Sequence, residues 1–181
     1  NNGYNSWWLS GCYLSADPTT RTLNIQQQTG GTVRADTTTG LDGTIVTLSN
    51  TANAGYTFNN YSITGAKLTG SQFKFYGQNV TIKPNYTHNV YNLYVRNDGN
   101  GKLSANTYSG YYGSTARLTP TPKEDYKFGH YDIISGTGSV NGNIFTFGAG
   151  SGMVKANFDW KFVVQPSEEV RIGNQTWMNH D

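Results

Sequence analysis

The sequence predicts an all-β chain made of two tandem modules with extended flanking segments, and three observations lead there. Apolar and polar residues alternate with a period of two: Leu23 and Ile25 with Asn24 and Gln26, Phe73 and Phe75 with Lys74, Val80 and Ile82 with Thr81 and Lys83. Glycine punctuates these runs at Thr29-Gly30-Gly31, Asn53-Ala54-Gly55, Thr64-Gly65 and Tyr76-Gly77-Gln78, where tight turns call for positive φ. The chain also repeats itself, and self-similarity at a fixed period exposes architecture before local propensity does. No segment of about eleven residues or more carries a helical apolar stripe.

Taken in order, residues 1–21 fit neither copy and read as a flanking segment that anchors the protein or exchanges strands. Module 1 spans 22–88 and module 2 spans 90–160. At a shift of 70, Leu23 and Ile25 fall on Leu93 and Val95, Val33 on Leu103, Leu48 on Leu118, and Tyr56, Phe58, Tyr61 and Ile63 on Tyr126, Phe128, Tyr131 and Ile133. After a two-residue insertion, Phe73, Phe75, Ile82, Lys83, Asn85 and Tyr86 meet Phe145, Phe147, Val154, Lys155, Asn157 and Phe158 at a shift of 72. Tyr56 with Phe58, and Tyr126 with Phe128, share one strand face and are expected to face the core. The short Asn89-Val90 joint implies that the modules sit in a semi-rigid row. Residues 161–181 form a second flanking segment.

Composition narrows the function classes. The chain has 181 residues, of which 13% are charged and 14% aromatic, with 22 Gly, 13 Tyr and a formal charge of +2. So few charges argue against a helical bundle, a coiled coil or an acidic disordered tail. The basic residues are scattered singly from Arg21 to Arg171 and leave no footprint for nucleic acid. No run of about eighteen apolar residues is present, so membrane insertion by a spanning helix is not expected. The first residue is Asn1 and no basic-then-apolar leader follows, so the chain reads as a mature or excised piece of something larger. Cys12 is the sole cysteine and cannot close an internal disulfide; it reads as a buried or incidental thiol, with interchain pairing or reactivity as the alternatives.

Catalytic and metal chemistry find no constellation. His88, His130 and His180 lack a second imidazole or carboxylate at ligand spacing, apart from the terminal His180-Asp181 pair, so neither a metal site nor a cofactor is expected. Asn97-Asp98-Gly99-Asn100-Gly101 is oxygen-rich but lacks the spaced carboxylates of a calcium loop; it occupies the slot of Gln28-Thr29-Gly30-Gly31 and reads as a hairpin turn. Glu124-Asp125 and Glu168-Glu169 are adjacent pairs whose side chains diverge on a strand. No serine sits in a nucleophile elbow, and the glycosylation patterns at Asn60, Asn79, Asn85 and Asn174 are no more than an Asn/Thr-rich chain yields by accident.

The aromatic surplus is the serious candidate. Tyr4, Trp7, Trp8, Tyr94, Tyr108, Tyr111, Tyr112 and Trp177 are the ligand or interface candidates, with Tyr13 in the same first segment. Tyr94 lies between core-facing Leu93 and Val95, so its ring is expected to point outward, and at least one of Tyr111 and Tyr112 is expected to be exposed in a Gly-bounded loop. Rings of this kind either pack and make protein interfaces or stack on sugars; packing or interface is favoured. The apolar ends, Tyr4 to Leu9 and Phe162 to Val164 with Ile172 and Trp177, are expected to pair with each other or to add as strands to other subunits.

The order Gly-Gly-Thr-Val (30–33), Gly-Thr-Ile-Val-Thr-Leu (43–48), Asn-Ala-Gly-Tyr-Thr-Phe (53–58) and Val-Thr-Ile-Lys-Pro-Asn-Tyr (80–86) resembles the divergent internalin-B-type B-repeat, also known as the Listeria-Bacteroides or bacterial repeat. Module 2 matches through Asn-Gly-Lys-Leu (100–103), Gly-Ser-Thr-Ala-Arg-Leu-Thr-Pro-Thr-Pro (113–122), Tyr-Lys-Phe (126–128) and Val-Lys-Ala-Asn-Phe (154–158). The family's usual Gly-Trp after Tyr-x-Phe is replaced by Asn60-Tyr61 and His130-Tyr131. The resemblance implies a small β-grasp-like module, found in arrays on secreted and surface proteins of bacteria and in some phage proteins, with no catalytic residues to carry over. Residues 170–178 look like the opening strand of a module common in Bacteroidetes and Fibrobacter surface proteins. The expectation is a non-enzymatic extracellular spacer or assembly unit of a cell surface or virion. Its partners would be proteins or copies of itself, bound through the terminal segments; the alternative is a carbohydrate-binding or host-adhesion module.

Overall fold

The computed structural model describes residues 18–161, together with the backbone of residues 170–172 and 175–177. The described residues hold no helix, and the chain divides between His88 and Asn89 into two compact units. It is an all-β protein of two tandem repeat domains.

Unit 1 contains β1 (Arg21–Ile25), β2 (Gly31–Ala35), β3 (Thr39–Gly40), β4 (Ile45–Ala52), β5 (Tyr56–Thr64), β6 (Gln72–Lys74) and β7 (Val80–His88). They form two sheets, in the orders β3-β1-β7-β5 and β2-β4-β6. The first and last strands lie side by side in parallel, Leu23 to Ile25 against Val80 to Ile82, while β5 pairs with β7 antiparallel. Parallel first and last strands at the sheet centre are the arrangement of a β-grasp-like module. A three-stranded sheet covers the face instead of a helix.

The core between the sheets is filled by alternate residues of both. Leu23, Val33, Val46, Leu48, Phe73, Phe75, Val80 and Ile82 form one cluster, with Phe73 and Phe75 in edge-to-face contact at 5.3 Å. Pro84 sits in β7 beyond the end of β1, where the missing N–H costs no ladder hydrogen bond.

Unit 2 repeats the plan with β8 (Val90–Asn97), β9 (Gly101–Ala105), β10 (Ser109–Tyr111), β11 (Thr115–Pro122), β12 (Tyr126–Gly136), β13 (Ser139–Asn141), β14 (Ile144–Thr146) and β15 (Gly152–Trp160). Its sheets run β10-β8-β15-β12 and β13-β14-β11-β9, with β8 and β15 parallel. Its core is Leu93, Leu103, Ala116, Leu118, Phe145, Phe147, Val154, Ala156 and Phe158. The two-residue insertion is accommodated as β13, which pairs with β14; unit 1 has there only an isolated bridge between Thr69 and Gln72. A last antiparallel pair joins β16 (Val170–Ile172) to β17 (Gln175–Trp177), so the segment read as a single opening strand contains two.

Two expectations change. The segments 28–31 and 97–101 are not hairpin turns, because β1 and β2 belong to different sheets, as do β8 and β9. The chain passes from one layer to the other there. At the second crossing the Asp98 carboxylate accepts N–H groups of Phe158 at 2.8 Å and Asn100 at 2.9 Å, with Gly99 at φ +94°. The other change concerns Tyr56 and Phe58. Tyr126 and Phe128 pack against the unit 2 core, whereas in unit 1 it is Tyr61 that packs against the core; Phe58 joins an aromatic group with Tyr61 at 4.7 Å and Tyr86 at 5.6 Å, and Tyr56 stacks on His88 at 4.3 Å.

That aromatic group carries a cost. The hydroxyls of Tyr61 and Tyr86 are buried without a hydrogen-bond partner, and burial, followed by Tyr61, pushes the Tyr86 hydroxyl pKa up. In unit 2 the Tyr131 hydroxyl donates to Asn143 Oδ1 at 3.0 Å, and Phe158 stands where Tyr86 would. Tyr86→Phe removes one unpaired group without changing the packing shape. It is expected to stabilise unit 1 by about 1 kcal/mol, read as a higher melting temperature for that unit alone.

Candidate functional site

The described candidate aromatics all lie on unit 2, on or beside β8 and β10. Tyr94 is 51% exposed between Leu93 at 2% and partly buried Val95, so the outward reading by strand parity is correct. Tyr111 and Tyr112 are 46% and 49% exposed. In the β8–β10 ladder Tyr111 opposes Val90, itself 58% exposed and four residues before Tyr94, so Val90, Tyr94 and Tyr111 share the outer sheet face. Met153 lies beside Tyr94 on β15. Val90 and Tyr94 are about 13 Å apart along the strand.

Tyr108 departs from this group. Its carbonyl accepts the N–H of Leu93 at 2.8 Å, which puts it opposite a core residue, and its hydroxyl accepts the N–H of Ala105 at 3.2 Å. The ring turns back over the end of β9. Tyr4, Trp7, Trp8, Tyr13, Cys12, Glu168, Glu169 and His180 lie outside the described residues, as does the side chain of Trp177.

The positions at which the two units differ are informative. Where unit 2 has Val90, Tyr94, Tyr108, Tyr111 and Tyr112, unit 1 has Thr20, Asn24, Thr38, Leu41 and Asp42. Asp42 serves the fold there: it takes the Arg21 guanidinium at 2.8 Å and the Gly77 N–H at 3.0 Å, which holds its carboxyl below the usual carboxylate range. Unit 2 has Tyr91 and Tyr112 at the two positions of that ion pair.

Trp160, 57% exposed at the end of β15 and edge-on to Tyr126 at 5.2 Å, and Tyr76, 81% exposed, escaped the sequence reading. Trp160 continues the parity of core residues Val154, Ala156 and Phe158, and only the end of the core beneath it distinguishes it from them. Tyr76 lines a depression of about 530 Å³ with Gly65, Ala66, Lys67, Lys74 and Gln78. A second depression of about 310 Å³ lies by Gln28, Tyr56, Lys83 and Tyr86. None of the candidate aromatics lines either.

The polar groups serve local structure. On the outer face of β5 and β7, Asn85 Nδ2 donates to Asn60 Oδ1 at 2.7 Å and to Ser62 Oγ at 2.9 Å. The equivalent Asn157 donates to Asp132 Oδ2 at 2.7 Å, with its Nδ2 3.3 Å from His130 Nε2. Each tripod sits just after a bulge, between Phe58 and Asn60 or Phe128 and His130, and ties the residues at which the ladder resumes to the neighbouring strand. Among the described residues no group of three or more His, Cys, Asp or Glu side chains gathers as metal ligands would. Glu124 and Asp125 are exposed, and Ser114 Oγ donates to the Tyr111 carbonyl at 2.7 Å. Asn79 Oδ1 accepts the Thr22 N–H at 3.0 Å.

Three aspartates make stability depend on acid. Asp36 accepts the N–H groups of Thr47 at 2.9 Å and Thr37 at 2.8 Å, and its pKa is lowered, first by Thr47. Asp42 and Asp98 are lowered by Arg21 and by the Phe158 N–H respectively. A depressed native pKa contributes stability above the unfolded value, near 4, and that contribution is lost as pH falls through the native value. Unit 1 carries two of these groups and unit 2 one. Melting followed unit by unit by NMR is therefore expected to show unit 1 losing more stability below about pH 4. Asp36→Asn, which copies Asn106 and its 2.7 Å acceptance of the Arg117 N–H, is expected to remove part of that sensitivity.

The sequence model of the divergent InlB B-repeat domain matches residues 21–90 and again residues 91–161. Comparison with curated proteins and with solved structures returns no match.

Proposed function

The chain belongs to the divergent InlB B-repeat family, and from that premise we propose that its two modules act as a non-catalytic spacer and assembly unit of a cell-surface or virion structure. Proteins of this family are typically surface or extracellular ones, and its repeats are typically non-catalytic. One observation carries the reading: two complete modules, each closed around its own core, follow one another with a single residue, Asn89, between β7 and β8. So short a tether restricts reorientation, which a spacer needs. Spin labels at exposed Lys67 and Lys123, each changed to Cys in a Cys12→Ser background, test this. A narrow inter-label distance distribution is expected. A distribution as broad as that of a flexible linker rejects the spacer.

The flanking segments 1–21 and 161–181 supply the protein partner or self-association in this reading, through strand addition. Removal of residues 1–17, which leaves β1 and the Arg21–Asp42 ion pair in place, is expected to lower oligomer size or melting temperature, and no change in either counts against that role.

A second reading, host adhesion or carbohydrate binding, is favoured by the Tyr94 and Tyr111 face, because the matched positions of unit 1 are Asn24 and Leu41 and carry no aromatic ring. Aromatic faces stack on sugar rings as they do on protein partners. Saturable binding on a glycan array, lost in Tyr94→Ala and Tyr111→Ala, is the outcome this reading requires.

A further inference from the structure

The β5 strand is the outer strand of its sheet, and among the described residues no strand pairs with the far side of Tyr61 to Thr64. The ladder to β7 settles which of its backbone groups are open. The Ile82 carbonyl accepts the Gln26 N–H at 2.8 Å, so the backbone of Ile82 faces β1, and Ile63 opposite it forms a non-hydrogen-bonded pair. The N–H and C=O of Ile63 therefore face outward. Tyr61, two residues earlier and opposite Pro84, is turned the same way. The edge thus presents two donors and two acceptors in one short row.

Exposed edges are normally guarded by charge, proline or bulges. The related strand of unit 2, β12, carries Lys127 and Asp132 and has a second bulge between Ile133 and Ser135. In contrast, β5 reads Tyr-Thr-Phe-Asn-Asn-Tyr-Ser-Ile-Thr, with no charge, no proline and no bulge after Asn60.

We propose that two copies of this chain pair through β5, antiparallel about a two-fold axis at Ser62. Tyr61 then opposes Ile63 of the second copy and exchanges both hydrogen bonds with it. Symmetry repeats the exchange, so all four open groups of each edge are used. On the inner face the pair is aromatic against β-branched; on the outer face Ser62 meets Ser62 and Asn60 meets Thr64, combinations that strands favour. The sheets join into one of eight strands, β3-β1-β7-β5 and its symmetry mate.

The pattern selects a second copy over an unrelated strand because it is self-complementary: nothing on β5 opposes its own image. The same two-fold drawn on β12 sets Asp132 against Asp132, which repels. A seam this short falls below the roughly 1,200 Å² of a stable interface. Pairing is therefore weak in solution and gains strength where many copies are displayed together.

The test is sedimentation equilibrium of the full chain up to millimolar concentration. Ser62→Asp copies Asp132 of unit 2 and leaves Asn85 an acceptor, so the fold has a working precedent in the same chain. The wild type is expected to show a monomer–dimer equilibrium, weakened on the order of ten-fold or more by Ser62→Asp. Mixing Ser62→Asp with Ser62→Lys is expected to restore dimer, and Tyr111→Ala to leave it unchanged. A wild type that stays monomeric throughout overturns the proposal. So does a dimer indifferent to Ser62→Asp, including one abolished only by removal of residues 1–17.

Discussion

Phe147→Ala is expected to unfold unit 2 at ambient temperature while unit 1 stays folded. Phe147 is 1% exposed and packs edge-on to Phe145 at 5.1 Å in a core of nine buried residues. Truncating a buried Phe costs about 3–5 kcal/mol, from lost transfer energy and from the cavity left behind. A domain of about 70 residues is marginal, with a total stability of no more than about 5 kcal/mol, so the loss consumes all or nearly all of it. The two cores share no residue, which confines the damage. An amide NMR spectrum with residues 90–160 collapsed to unfolded positions and residues 22–88 unmoved is the predicted result. A single cooperative loss of both sets of peaks would show that the modules depend on each other for folding.

Gly136→Ala carries the next largest effect. Gly136 has φ +80°, and a Cβ there would overlap the Ser151 carbonyl oxygen and the Gly152 Cα. Gly65 occupies the same place in unit 1, at φ +92°, with its hypothetical Cβ on the Asn79 carbonyl. Both mark the point where the long edge strand leaves the final central strand, so neither obstacle is a side chain that can swing away. Left-handed backbone costs an L-residue about 1–2 kcal/mol, and the backbone displacement adds to it, giving a loss on the order of 3 kcal/mol. Gly142, at φ +55° with open space around it, is the control. Gly142→Ala is expected to cost only the strain, about 1–2 kcal/mol. Equal losses by chemical denaturation would refute the steric part of the argument.

The core was legible in the sequence because alternation reports the face on which a residue lies. Phe73 with Phe75, and Phe145 with Phe147, are buried as their spacing requires. Alternation does not report partners. That β1 lies beside β7, across more than fifty intervening residues, leaves no local trace, and a glycine turn between two sheets resembles one within a hairpin. The segments 28–31 and 97–101 were misread for that reason. At the candidate site, parity placed Tyr94 outward correctly. It had no means of showing that the hydroxyl of Tyr108 bends back to Ala105, because that contact depends on where β9 ends. Tyr56 and Phe58 went astray for a related reason: the aromatic at position 86 is Tyr where unit 2 has Phe158, and an aromatic pattern cannot say which ring will join the main cluster.

The parallel pairing of first and last strands has a mechanical meaning. In each unit the chain enters by one central strand and leaves by its neighbour, both pointing the same way, Leu23 to Ile25 beside Val80 to Ile82 and Leu93 to Asn97 beside Gly152 to Ala156. Tension applied through the ends of a unit pulls these strands past one another along their length. The hydrogen bonds between them are loaded together in shear, where an antiparallel hairpin at the same place would open one bond at a time. Resistance to such a pull is set by the rate of unfolding rather than by equilibrium stability, so a module of modest stability can still hold under load. Unit 2, with five paired positions against three in unit 1, is the stronger link of the two.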